Sequence, residues 1–316
     1  SLYISDLSFN PLYGIMKLVK YGRFIVIKLV ACDLDGTLFN SNMEVSEENV
    51  RAIHKAQKSG IEFLIATGRA PKQSRAIIRN SNLKTGFINL NGALVFDTND
   101  NLIVKHALPT AKAKKIVDIL HQNHFYFEII TANHTYSESI EKRIANFAHS
   151  LAILNPNITF KQAVAISAGS KAILNMVHVN SFKKLLADPK IEVMKIIAFD
   201  SRGYEAFIDV KKDISKLGDP AITSSSAANI EINDVNAQKG IALLDYAKKK
   251  GIKREEIAAI GDNLNDESMI REAGTGVAMG NAVPAIKKLA QVQTKSNNDN
   301  GVANILNKFL ADNAKK

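Results

Sequence analysis

The sequence predicts an α/β fold, a doubly wound Rossmann-like parallel sheet interrupted by an inserted α+β domain, and three observations predict it. The stretch 25–32 is apolar apart from Lys28, the pattern of a strand buried on both faces of a parallel sheet. Strand-like and helix-like segments alternate up to residue 92 and again from residue 233. Between those two stretches the rhythm gives way to mixed strands and helices.

The elements follow in order. After the first strand, Ser46 with Glu47 and Glu48 behind it marks a helix start, Val50, Ile53 and Ala56 or Gln57 keep helical spacing, and Gly60 closes the helix. Residues 61–66 read as the second strand. Pro71, tolerated in a first turn, opens a helix to about Arg79, and 87–90 make a third strand before Asn91-Gly92. The insertion holds a helix at 111–120 and strands at 125–130 and 191–199. The alternation then resumes with a helix at 236–250, a strand at 257–260, a helix at 265–273, a strand at 276–279 and a helix at 283–290. One discontinuous core, 24–92 and 233–316, is therefore expected around an insertion at 93–232, preceded by an extension at 1–23 with no assigned role.

Composition narrows the class. With 316 residues, 46% of them hydrophobic and 23% charged, the chain buries one large or two moderate cores without staples. The single cysteine, Cys32, has no partner for an intramolecular disulfide and reads as a small packed hydrophobe, which suits a reducing cytoplasm. No stretch approaches the roughly 18 to 20 apolar residues of a membrane span, and the extension lacks the compact apolar segment of a secretory signal, so no membrane partner is expected. A net charge of +10 permits diffuse attraction to anions. The lysines are scattered, however, and runs such as Lys248, Lys249 and Lys250 read as solvated helix faces, so no specific nucleic-acid partner is expected. These features leave the oligomeric state open.

In an open α/β sheet, ligands bind beyond the carboxyl ends of the strands, so the polar residues there matter most. The first strand runs into Asp33-Leu34-Asp35-Gly36-Thr37-Leu38. Two carboxylates that converge at a strand end repel unless a cation or a shared proton relieves them, and a hard divalent ion is the simplest relief. An ordinary Asp-Gly turn explains the same residues without a ligand. The second strand ends in Thr67-Gly68-Arg69, which offers an anion a hydroxyl, a backbone amide and a guanidinium. Lys239 follows Asn236, the expected helix cap, in a first turn where the macrodipole disfavours a cation, so an anion should compensate it. Asp262 and Asp266 flank the start of the helix after the 257–260 strand, where one acid can reach a metal while the other caps the helix or holds Lys239.

These four patterns, in this order, resemble the motifs of the haloacid dehalogenase superfamily. Asn89 to Ala93 and Val277 to Ala282 extend the resemblance to its Cof-type subgroup, whose large α/β cap is inserted between the second and third motifs. The resemblance implies a phosphatase of small phosphorylated metabolites, sugar phosphates first, with Mg2+ as cofactor. Asp33 would be the nucleophile and a metal ligand. Asp35 would act as acid and base and bind metal through its carbonyl, and Asp262 would complete the ligands. Thr67, Gly68, Lys239 and Asn265 would hold the phosphoryl group, with Asp266 and Arg69 behind them. The inserted cap would close over the site. His178, Asp200, Arg202 and the serines at 224–226 are possible cap contacts, each also explained as an exposed loop residue. A sugar phosphomutase uses the same core residues, and a basic nucleic-acid or regulatory binding protein that has lost activity is the non-enzymatic alternative.

Overall fold

The structure, a computed structural model, describes residues 26–155 and 157–315. The extension 1–23 and the first residue of the expected opening strand lie outside them. Among the described residues fourteen strands follow in chain order: β1 (Leu29–Asp33), β2 (Glu62–Ala66), β3 (Gly86–Asn89), β4 (Leu94–Phe96), β5 (Leu102–Lys105), β6 (Tyr126–Ile130), β7 (Thr135–Ser137), β8 (Val177–His178), β9 (Lys195–Phe199), β10 (Ala221–Thr223), β11 (Asn229–Asn233), β12 (Ile257–Gly261), β13 (Thr275–Ala278) and β14 (Val292–Gln293). They form two sheets, one of eight strands in the order β14-β13-β12-β1-β2-β3-β4-β5 and one of six in the order β10-β11-β9-β6-β7-β8.

The larger sheet is parallel from β14 to β3. Every residue of β1 and β12 is buried, so both faces of the sheet are covered, as the apolar run at 25–32 predicts. Each large aliphatic side chain so buried contributes roughly 1.5 to 3 kcal/mol. The helix Glu47–Lys58 starts as expected, with Ser46 Oγ accepting from the Asn49 N–H at 3.2 Å, acids in its first turn and lysines in its last. Its buried stripe is Asn49, Ala52, Ile53 and Ala56, one residue round from the expected Val50.

Three expectations need correction. Residues 94–105, placed in the insertion by the sequence, form an antiparallel hairpin that extends the larger sheet through β3–β4 and β4–β5 pairing. A strand's partner is not encoded in its own alternation, so the sheet switch falls after Lys105. The helix expected from Asn236 begins at Lys239, with Gln238 at its cap, because Asp234 Oδ1 already accepts from the Asn236 backbone N–H at 3.0 Å. The helix expected over 265–273 divides into a 3-10 turn, Leu264–Asp266, and the helix Glu267–Glu272. A C-terminal helix, Gly301–Asn313, went unread behind its Asn-rich loop. It is tied to the first helix by the Ala303 N–H, which donates to Asn49 Oδ1 at 2.9 Å.

The six-stranded sheet alternates cleanly. Phe127, Ile129, Ile196, Ala198, Ile230 and Ile232 are buried in a second hydrophobic core with the helix Thr110–Gln122. Glu128, Lys195, Ile197 and Glu231 carry the opposite parity, with Glu128 and Glu231 flanking Ile197 in register on either side. That second face looks onto the carboxyl ends of β1 and β2.

Candidate active site

Because β12, β1 and β2 are parallel neighbours, their carboxyl ends deliver Asp262, Asp33 and Thr67 side by side. Past Asp33 the chain turns sharply at Gly36, whose φ of +82° favours glycine. A Cβ there would stand 2.5 Å from Asp262 Oδ2, so the missing side chain also admits that carboxylate. Thr37 Oγ1 donates to Asp262 Oδ1 at 2.7 Å, and Asn281 Nδ2 donates to the Gly36 carbonyl at 2.8 Å, bracing the turn from the β13 side.

Lys239, fully buried, donates to Asp33 Oδ1 and to Asp266 Oδ1, each at 2.6 Å. These two carboxylates are the anions its helix-start position demands. Burial alone would strip its proton, but Asp266 and Asp33 outweigh that and hold the ammonium firmly charged. Both oxygens of Asp266 are engaged: besides Oδ1 on Lys239, its Oδ2 accepts from the backbone N–H of Asp262 at 2.9 Å and of Asn263 at 3.1 Å. Both roles foreseen for it, capping and holding Lys239, are filled at once.

Asp33, Asp262 and Asp266 bring one oxygen each to within 4.8 Å of one another. One lysine cannot neutralise three converging carboxylates, two of them buried and Asp262 half-buried. Burial and Asp266 accordingly push the Asp33 carboxyl well above the carboxylate range despite Lys239, and push Asp262 up to about 6. This excess of negative charge, built from hard oxygen donors, fits a divalent cation. Asp33 and Asp262 have oxygens to give it, whereas Asp266 has committed both of its own. The Asp35 side chain turns away from this cluster and forms a bidentate pair with Arg69, Nε to Oδ2 at 2.8 Å and Nη2 to Oδ1 at 2.6 Å.

Thr67, Gly68 and Arg69 form a loop whose three carbonyls are all taken. The Asn91 N–H holds Thr67 O at 3.1 Å, Lys195 Nζ holds Gly68 O at 2.8 Å, and Asn89 Nδ2 with the Leu90 N–H holds Arg69 O. Gly68 has no positive φ, so conformational freedom does not explain the glycine. Close packing does, since a Cβ would meet Asn91 Oδ1 at 3.1 Å and Glu231 Oε2 at 3.5 Å.

Asp33, Asp35, Thr67, Gly68, Arg69 and Asn265 line a cavity of about 240 Å³. The inserted sheet supplies its ceiling, with Glu128, Arg143, Lys195, Phe199, Ser225 and Glu231 among the lining residues. A larger cleft of about 1050 Å³ shares Arg69, Ala70, Gln73 and Thr135 with it. Sequence reasoning passed over the ceiling, apart from Ser225 in the serine run. Its signal was one charge in each of three strands, Glu128 and Glu231 between apolar neighbours and Lys195 at the start of β9. Burial raises the Glu128 carboxyl over the opposing pull of Arg143. Burial would raise Glu231 as well, but Lys195 and hydrogen bonds from Asn91 and Ser225 hold it below its usual range. Arg202 forms an exposed pair with Asp200, and neither lines the cavity.

Comparison with known proteins gives a consistent picture. A family model for haloacid dehalogenase-like hydrolases matches residues 30–306. Phosphatase YwpJ of Bacillus subtilis is 35% identical over 293 residues, covering 90% of this chain and all of the relative. The 5-amino-6-(5-phospho-D-ribitylamino)uracil phosphatase YwtE of the same organism is 32% identical, covering 90% of this chain and 99% of the relative. Among solved structures, a haloacid dehalogenase-like hydrolase from B. subtilis superposes with a TM-score of 0.77 at 33% identity, covering 89% of this chain and 99% of that one. Among the described residues no helix is long and apolar enough to cross a membrane.

Proposed function

The chain belongs to the haloacid dehalogenase-like hydrolases and is a phosphoric monoester hydrolase, and from that premise we propose a magnesium-dependent phosphatase of small phosphorylated metabolites that works through an aspartyl phosphate on Asp33. The observation that carries this reading is Lys239, buried without solvent contact between Asp33 and Asp266 at the end of the central strand. A structural ion pair needs one acid. A second acid on the lysine and a third beside it make a site for charge that arrives with the ligand and its cation.

Phosphate monoesters hydrolyse very slowly in water, and a covalent relay replaces one high barrier by two lower ones. An Asp33 oxygen attacks phosphorus while the ester P–O bond breaks, and Asp35 gives its proton to the departing oxygen. Asp35 then takes a proton from water as that water attacks the phosphoaspartate, freeing inorganic phosphate and regenerating Asp33. For the first of these steps Asp35 must leave Arg69, which in this structure holds it at the cavity mouth. Thr67, the Gly68 amide, Lys239 and Asn265 stabilise the equatorial oxygens from fixed positions. Magnesium, held by Asp33, Asp262 and the Asp35 carbonyl, would supply the charge that lets phosphoryl oxygens approach these acids.

The inserted sheet acts as the cap, and its ceiling of acids, Arg143 and Ser225 suits a leaving group rich in hydroxyl or N–H donors. Sugar phosphates are the first candidates. The phospho-ribitylamino-uracil named for several relatives adds a polyol with a ring, for which the wider cleft has room. The test is inorganic phosphate release from sugar phosphates, that pyrimidine and p-nitrophenyl phosphate, with magnesium or EDTA, against an Asp33→Asn control. Turnover that survives EDTA, or that persists in Asp33→Asn, would sink the reading.

A further inference from the structure

We propose that Lys195, on the inserted sheet, is a positioning residue for phosphoryl transfer that acts through the Thr67 hydroxyl. The inference rests on the phosphate-binding role given to Thr67 above.

The geometry runs through one peptide plane. Lys195 Nζ donates to the Gly68 carbonyl at 2.8 Å. The other end of the same peptide is the Arg69 N–H, which donates to Thr67 Oγ1 at 3.2 Å. A peptide unit is planar, so fixing its oxygen fixes the direction of its N–H. An oxygen that accepts from Arg69 N–H has its own proton left to donate, and the cavity is where a phosphoryl acceptor would sit. The lysine thus sets both the place of Thr67 Oγ1 and the direction in which it donates.

A second observation points the same way. Lys195 is 3% exposed, and burying an ammonium is costly unless it is paired and hydrogen-bonded. Its pairing is built for the loop and leaves little for a ligand. Glu231 Oε2 lies 3.4 Å from Nζ, Asn91 Nδ2 donates to that same oxygen, and Ser225 Oγ donates to Glu231 Oε1 at 2.8 Å. Asn91 in turn holds the Thr67 carbonyl through its backbone N–H at 3.1 Å. Gly68 packs against this cluster, where a Cβ would press on Asn91 Oδ1 at 3.1 Å and touch Glu231 Oε2 at 3.5 Å and Lys195 Nζ at 3.6 Å. The inserted sheet therefore completes the phosphate loop, in addition to facing the leaving group. A specificity residue and a positioning residue differ in one measurable respect: only the second acts equally on every substrate.

Lys195→Met alone strands the buried Glu231 carboxylate, so the test pairs it with Glu231→Gln and includes each single variant. The full chain with saturating magnesium is assayed on p-nitrophenyl phosphate and on the best sugar phosphate found. The paired variant should lower kcat by about tenfold to a hundredfold, the range seen when a supporting hydrogen bond behind a working group is lost, and by the same factor on both substrates. Combined with Thr67→Val it should cost no more than Thr67→Val does alone, because the lysine acts through that hydroxyl. Unchanged kcat, a loss confined to the sugar phosphate, or losses that multiply with Thr67→Val would overturn the proposal and leave the phosphatase reading standing. No phosphate release by the unsubstituted chain would overturn both.

Discussion

Lys239 and Asp33, 206 positions apart in sequence, meet at 2.6 Å with the lysine sealed from solvent, while Asp266 takes a second of its protons at the same distance. Removing the cation leaves two buried acids and the half-buried Asp262 facing one another. Lys239→Met should therefore destabilise the metal-free protein by about 3 to 5 kcal/mol, the usual cost of breaking a buried pair from one side. Urea unfolding in EDTA measures it, and a loss under about 1 kcal/mol would mean that the pair is not the keystone its burial implies.

Asp33→Asn acts in the opposite direction on stability. It removes a buried carboxylate whose charged form burial, Asp266 and Asp262 all disfavour, so the metal-free variant should melt higher than the parent. Turnover should fall by about 10⁴-fold or more, because the nucleophile itself is gone. A variant that melts lower in EDTA would show that Lys239 needs the charge on Asp33 more than Asp33 repels its neighbours.

The same acids set a pH dependence. Burial and Asp266 lift Asp262 to about 6 in the folded chain, against an unfolded value near 4. A carboxyl raised by folding stabilises fully below its unfolded pKa, and that contribution is lost as pH rises through the folded one. Metal-free stability should thus decline from about pH 4 through pH 6, and Asp262→Asn should flatten the decline. Magnesium binds the ionised acids, so the rise in Tm that it produces over EDTA should grow from pH 5 to pH 7. Equal shifts at the two pH values would rule this cluster out as the binding site.

Much of this site was legible because strand ends are legible. Asp33, Thr67 and Asp262 each follow an apolar run that can only be a buried parallel strand, and Lys239 stood out by occupying a helix start where a cation is unwelcome. What stayed hidden depends on tertiary choices. Glu128, Lys195 and Glu231 show the period-two alternation, but alternation does not say which parity faces the cavity and which builds the second core. Gly68 reads in the sequence as a backbone amide offered to an anion, and only the packing of Asn91 and Glu231 beside it adds a steric reason for a glycine. The hairpin 94–105 was assigned to the insertion because nothing in its residues names β3 as its partner. The pairing of Asp35 with Arg69 joins two motifs that the sequence places 34 positions apart.

Arg143 offers the contrast that separates substrate reading from loop positioning. It projects from the helix Ile140–Leu154 over the Phe199 ring at 5.1 Å and pairs through Nε with Glu128 at 3.2 Å, both lining the cavity that Asp33 also lines. Among the described residues no hydrogen bond or ion pair joins it to the Thr67 loop, so its loss should leave the phosphoryl chemistry intact. Burial raises the Glu128 carboxyl and Arg143 opposes that rise, so without the guanidinium Glu128 takes up a proton more readily and Arg143→Met should fold. The variant should raise KM for a polyol phosphate by about tenfold, the worth of one charged hydrogen bond, while kcat on p-nitrophenyl phosphate stays within about twofold of the parent. Steady-state kinetics on the two substrates decide the point. Equal losses on both would place Arg143 with Lys195 as part of the phosphate site, and no loss on either would remove this face of the ceiling from substrate recognition.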